Sequence, residues 1–199
     1  MSEAEVIDST APDNNIITLL GHINYAWAQL DLISSGAFAG MLKLNPIELG
    51  ITIGRIETQA KIGKMHSIAR HRRNKEQAAL LAKLKRELTQ LRPTRNATTH
   101  GAYIGTTGVG ELLFKLPAEF IVDDVEDTAQ ELFVFTVKEL EQHVMDVTRI
   151  ALTLRAHFDS EEMQKLFALP SRVRRGRVEG SVRDKVPNTH PPPRRSSHE

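Results

Sequence analysis

The sequence predicts a mainly α-helical protein, an antiparallel helical bundle with a small β-hairpin insertion, and three observations carry that expectation. Four stretches repeat apolar residues at steps of three and four, the spacing that gathers side chains on one face of a helix. Between the third and the fourth, near residues 102–116, the chain changes to short β-like runs around glycines. With 199 residues, 40% of them hydrophobic, it can bury one sizeable core but is short for two full domains. The expected division is a flexible N-terminus over residues 1–14, a helical domain over 15–169 and a basic, disordered tail over 170–199.

The first helix follows from Ile16, Leu20, Ile23, Trp27, Leu30 and Ala37, which form one stripe behind Pro12. Trp27 repeats in phase with Leu20 and Leu30, so it reads as core rather than as a platform for stacked bases. Asn45 and Pro46 have the form of an N-cap followed by proline in the first helical position, and Leu49, Ile53, Ile56, Ala60 and Gly63 continue one face of a second helix toward Arg73. Gly50, Gly54 and Gly63 weaken that helix, which implies that a neighbour packs closely there.

A third helix spans Asn74 to Leu91 on Leu80, Leu84, Leu88 and Leu91. Pro93 is expected to stop it, with Thr94 capping a new short segment that starts at Arg95 and ends before Gly101. Tyr103-Ile104 and Leu112 to Phe114 then flank the glycine-rich turn from Gly105 to Gly110, the form of a β-hairpin. After an acidic stretch from Asp123 to Asp127, Leu132 to Phe135 suits a short strand, and Thr136 with Glu139 makes a capping box. Leu140, Val144, Val147, Ala151, Leu154 and Phe158 define a strong helix whose seam could pack inside one subunit or against a second copy. His143 and His157 fall off that stripe and receive no role. A last short helix is expected from Glu161 to Leu169, before Pro170.

The formal net charge of +1 hides an asymmetry: from Ser171 onward there are eight Lys or Arg against three Asp or Glu, and before it 18 against 22. A basic arm on a slightly acidic body attracts polyanions through counterion release, or simply solubilises the chain. Arg172, Arg174 and Arg175 are its candidate nucleic-acid contacts. Arg70, Arg72 and Arg73 form a second basic cluster, which either stabilises a helix C-terminus through the dipole or faces phosphate.

Several chemistries are disfavoured. The absence of cysteine removes disulfides, thiolate metal sites and cysteine nucleophiles. His66 and His71 are five apart, out of register for a shared helical face, so no metal site is expected, and nothing implies a cofactor. The turn from Gly105 to Gly110 lacks the Lys-Ser or Lys-Thr pair of a phosphate-binding loop, and Glu111 follows instead. No Gly-x-Ser-x-Gly elbow occurs. The apolar run from Ile16 to Leu42 is broken by His22, Asn24, Gln29 and Asp31, and no apolar leader opens the chain, so the sequence reads as a soluble cytoplasmic protein without a membrane partner.

What remains is Arg95-Asn96-Ala97-Thr98-Thr99-His100, which places a permanent cation, an amide and an imidazole within about a turn and a half of helix. At 100° per residue, Asn96 and His100 share a face while Arg95 points elsewhere. This stretch resembles the Arg-x4-His motif of the HEPN superfamily (higher eukaryotes and prokaryotes nucleotide-binding), including the polar residue directly after the arginine. The pattern of long helices from Ile16 to Phe158 is similar, although only the motif is specific. The resemblance implies a HEPN-like bundle and a homodimer with a composite site. It also implies metal-independent endoribonuclease activity in toxin or phage-defence biology, with an antitoxin or regulatory protein as a further partner.

On RNA, His100 would remove the 2′-hydroxyl proton while Arg95 stabilises charge on the attacked phosphate, and His100 of a second copy would protonate the leaving 5′-oxygen. Asn96 and Tyr103 would orient substrate, although Tyr103 also suits an ordinary hairpin position. The alternatives to this chemistry are a non-catalytic dimeric module that binds nucleic acid, nucleotide or a protein partner, and a purely structural helical adaptor. In a purely structural reading of the motif, Arg95 pairs with a carboxylate, Asn96 hydrogen-bonds near the cap and His100 closes a short helix before Gly101.

Overall fold

The computed structural model describes residues 6–8, 11–53, 56–116, 132–159, 163–164 and 168. Along these the elements are β1 (Val6–Asp8), α1 (Asn14–Leu42), α2 (Pro46–Ile53), α3 (Thr58–His71), α4 (Lys75–His100), β2 (Ala102–Thr107), β3 (Leu112–Lys115), β4 (Leu132–Phe135) and α5 (Val137–Phe158). The protein is mainly helical with a small antiparallel sheet, ordered β1-β2-β3-β4. The expected disordered tail with Arg172, Arg174 and Arg175, the acidic stretch 123–127, and all but a few residues of the helix expected over 161–169 lie outside the described residues. Among the described residues no helix is long and apolar enough to cross a membrane.

The 29-residue α1 begins where the Asp13 carboxylate accepts from the Ile16 N–H at 2.8 Å, and it is the central helix. Its core stripe, Ala26, Leu30, Ile33 and Ala37, packs with Leu81, Leu84 and Leu88 of α4 and with Val147, Ile150 and Leu154 of α5. The α5 seam is therefore satisfied inside one subunit. Its N-terminus carries the expected capping box, in which Thr136 and Glu139 exchange hydrogen bonds.

The bundle is not uniformly antiparallel. Asp31 of α1 meets Lys61 of α3, and ten residues on, Met41 meets Arg72, so α1 and α3 run parallel. Gln59 meets Thr89, and Thr99 meets Asn24, so α4 runs against both. The connection through α2 makes the parallel pair feasible, because it carries the chain back along the bundle before α3 starts.

Three boundaries differ from the sequence expectation. The single second helix is two, α2 and α3, separated at Glu57, whose extended backbone makes it the N-cap residue of α3. Gly50 and Gly63 are not tight packing points: a Cβ at Gly50 would meet nothing, and one at Gly63 only the flexible end of Lys85. Pro93 does not stop α4, and Thr94 is not a cap. Pro93 is exposed, so the backbone bond it cannot make is lost on the wet side, while Leu84 and Leu88 before it and Ala97 and Thr98 after it are buried and hold one continuous helix. The N-terminal residues expected to be flexible include β1, which pairs with β2 and satisfies its otherwise open backbone edge.

The expected hairpin is present as β2 and β3, with β4 added on the other side of β3. Leu112, Leu113 and Phe114 are all buried, since β3 lies inside the sheet and its Leu112 and Phe114 pack on Ile16, Leu19 and Ile23 of α1 and on Leu140 of α5. A second core therefore closes one end of the bundle. Gly101 makes the turn from α4 into β2, and a Cβ there would strike the Ala97 carbonyl oxygen, so only glycine lets the strand leave the helix this closely.

Candidate functional site

A cleft of about 410 Å³ opens where α1, the first turn of α3 and the last turns of α4 converge. The break before α3 builds one wall. It turns Thr58 and Lys61 toward α1, where the Thr58 hydroxyl donates to Asp31 Oδ1 at 2.6 Å and Lys61 Nζ donates to the same oxygen at 2.8 Å and to Ser35 Oγ at 2.8 Å. The Lys61 side chain is 5% exposed and the Asp31 side chain 50%. An ammonium is tolerated at that depth because a carboxylate and a hydroxyl take its protons.

The other wall is the continuous α4. Arg92, Arg95 and Thr99, three and four residues apart, all face the cleft. The Arg95 guanidinium lies 5.3 Å from the centre of the Trp27 ring, a cation–π contact. Trp27 is fixed from behind, because its indole N–H donates to His143 Nε2 at 2.9 Å. His143 is 3% exposed, its Nδ1 has no hydrogen-bond partner among the described residues, and burial pushes its pKa down to about 4 despite the nearby Asp146 carboxylate. Asn24 of α1 accepts from the Thr99 hydroxyl at 3.2 Å and closes the upper rim.

Electrostatically the cleft is lopsided. Lys61 is neutralised by Asp31, and the remaining ion pairs among the described residues are Lys83 with Glu87 and Arg149 with Glu87 and Asp146. Neither Arg92 nor Arg95 has a carboxylate partner among them. With Lys61 held by Asp31, the cleft lining carries two guanidiniums, one of them over an aromatic ring, against the single further carboxylate of Glu57, a net positive site suited to phosphate oxygens.

The sequence candidates separate. Arg95 lines the cleft; Asn96 and His100 do not, as their angular positions on a regular helix require. His100 is the exposed last residue of α4. Tyr103 is packed edge-on against Phe114, with ring centres 5.7 Å apart, which makes it a sheet residue. Arg70, Arg72 and Arg73 sit at the opposite end of α3 from Thr58, roughly 18 Å along the helix, and do not reach the cleft. Arg72 instead donates to the Met41 carbonyl at 2.8 Å, tying α3 to the end of α1. Trp27, expected as core, is half-buried and forms cleft wall as well as core edge.

Sequence reasoning missed Arg92, the Asp31–Lys61–Thr58 cluster and His143. Arg92 was hidden because a helix broken at Pro93 would have put it on a different element. His143 was legible in principle: Leu140, His143, Val147, Ile150 and Leu154 step by three and four, and this is the stripe that is buried. Among the described residues no three His, Asp or Glu side chains are grouped as a metal site requires. No family model, no curated protein and no solved structure matches the chain.

Proposed function

We propose that this protein is an RNA-binding, metal-independent endoribonuclease of HEPN type that acts as a homodimer. The observation that carries the proposal is the Arg95 guanidinium, 5.3 Å from the centre of the Trp27 ring and in one cleft with Arg92, neither of them ion-paired to a carboxylate among the described residues. An RNA phosphate entering the cleft is bound by both arginines. Arg95 then opposes the charge that grows on the phosphate as the 2′-oxygen attacks. His100 accepts the 2′-hydroxyl proton, the phosphorus–oxygen bond to the 5′-oxygen breaks, and His100 of the second copy delivers a proton to that oxygen. The products are a 2′,3′-cyclic phosphate and a 5′-hydroxyl.

One observation favours a second reading, a dimeric module that binds nucleic acid or nucleotide without cutting it. His100 lies off the cleft that holds Arg95, so a single copy does not assemble base and phosphate site together. The experiment is cleavage of labelled RNA by purified protein in EDTA, with binding measured in parallel. For the nuclease, His100→Ala keeps binding and loses cleavage, while Arg95→Ala weakens binding about tenfold and lowers the salt slope of log K by about one. Binding without cleavage by the wild type supports the module, and no RNA binding overturns both.

A further inference from the structure

Arg70 lies too far down α3 to enter the cleft, yet it stands on a surface that begins there. The α3–α4 contact has a fixed register. Ile56 and Arg92 share the cleft lining, Gln59 donates to Thr89 at 2.8 Å, and the end of the Lys85 side chain lies against Gly63. From one pair to the next the chain advances three or four residues toward the end of α3 and goes back by the same number along α4. Seven residues further along α3, Arg70 comes opposite Ala78 in the first turn of α4. One row of exposed cations therefore follows the seam between the two helices: Arg92 at the cleft, Lys85 about 10 Å below it and Arg70 about 10 Å below that. Lys85 reaches across the seam, its Nζ 3.9 Å from where a Cβ would stand on Gly63.

No acid interrupts this row. α3 contains no Asp or Glu, and Glu57 stands before its first residue. The two acids of α4, Glu76 and Glu87, fall about 160–180° around that helix from the line through Ala78, Lys85 and Thr89. Glu87 is occupied there by Lys83 and Arg149. Neither Lys85 nor Arg70 is ion-paired among the described residues. The seam is not apolar either. The exposed large hydrophobic side chains, Ile17, Tyr25, Ile47 and Ile51 among them, all lie outside α3 and α4. A membrane or an apolar protein face has nothing to bury here, whereas a chain of phosphates meets a cation at each step.

We propose that single-stranded RNA leaves the cleft along this seam, its backbone phosphates passing over Lys85 and then Arg70. The inference rests on the reading of the cleft as an RNA site and adds a path to it. From Arg92 to Arg70 the row spans about 21 Å, a length suited to the roughly four nucleotides of the smallest single-strand sites. It is one cation wide, which fits one strand rather than the two of a duplex. Neither helix carries Phe, Tyr or Trp, so the bases find no stacking partner, and the contacts position RNA without reading its sequence.

The test is fluorescence anisotropy of the full chain with labelled 2′-O-methyl oligouridylates of three and eight nucleotides, which offer no 2′-hydroxyl for cleavage. At about 0.7 counterions released per contact, one phosphate contact is worth about fivefold in affinity at 0.1 M salt. The wild type should therefore bind the octamer about 25-fold more tightly than the trimer. Lys85→Gln and Arg70→Gln should each cost the octamer about fivefold, lower its salt slope by about 0.7 and leave the trimer unchanged. Arg95→Ala should weaken both lengths, and Lys83→Gln, on the far side of α4, neither. Equal binding of the two lengths overturns the track. So does an octamer advantage that survives the Lys85→Gln, Arg70→Gln double variant, which would trace it to the basic residues beyond 170. A lower melting temperature for Arg70→Gln with that advantage intact would assign Arg70 to the α3 dipole alone and overturns the track as well. In each of these cases, trimer binding that depends on Arg95 leaves the cleft reading standing, whereas a protein that binds neither length ends both.

Discussion

Replacing His143 with leucine should remove a defined part of the protein's acid sensitivity. In the folded chain His143 is 3% exposed, accepts the Trp27 indole N–H and is held neutral down to a pKa of about 4, against 6.5 when unperturbed. As pH falls below 6.5 the unfolded chain takes up a proton that the native chain refuses, so stability present above that pH is progressively lost. The loss is about 2 kcal/mol near pH 5 and about 3 kcal/mol near pH 4, below which the native imidazole protonates too and the slope ends. Leucine leaves the Trp27 N–H without its acceptor and costs about 1–3 kcal/mol at every pH, but it carries no proton linkage. Urea unfolding at neutral pH and near pH 5 separates these effects, with the single tryptophan as the fluorescence probe. Other titrating groups cancel in the comparison. The wild type should lose about 2 kcal/mol more than the variant on acidification; equal losses would show that His143 is not the neutral buried group described.

Other perturbations reach the cleft and its supports. Gly101→Ala should destabilise by about 1–3 kcal/mol in thermal unfolding, because the new Cβ collides with the Ala97 carbonyl, and an unchanged melting temperature would contradict that close approach. Asp31→Asn leaves the Lys61 ammonium buried beside a neutral amide and should cost about 1–3 kcal/mol, less than for a fully buried pair because Asp31 is half exposed. Adding Lys61→Met should recover most of that loss, and failure to recover would mean that the pair is not coupled. Deleting residues 171–199 should lower RNA affinity and flatten its salt dependence, whereas unchanged affinity would leave the helical bundle as the whole binding surface.

The elements legible in the sequence were those whose local signals agree with tertiary packing. The capping box at Thr136 and Glu139, the proline at 46 and the glycine-flanked hairpin specify their own geometry and appear where expected. Pro93 shows the opposite case. Local chemistry disfavours a helix there, yet burial of Leu88 and Ala97 on either side of an exposed ring outweighs it. The consequence reaches the site, because only an unbroken α4 aligns Arg92 with Arg95 and Thr99. Arg95 was legible as a chemical candidate from its spacing to His100. Its resting place on Trp27 was not, since that depends on α1 and α4 running antiparallel, a property of the fold rather than of either segment. His143 escaped because polar residue type was weighed above its position in the buried stripe.

The claim on which everything turns is that one RNA-cutting site needs Arg95 and His100 from two copies of the chain. It is tested most directly by mixing wild-type protein with an equal amount of His100→Ala, allowing exchange, and measuring RNA cleavage per wild-type chain in EDTA. A composite site leaves only dimers of two wild-type chains active, so activity falls to about half of that of the same wild-type chains alone. Activity per wild-type chain that stays constant would show that each copy works alone, and no cleavage at all would reduce the protein to a binding module.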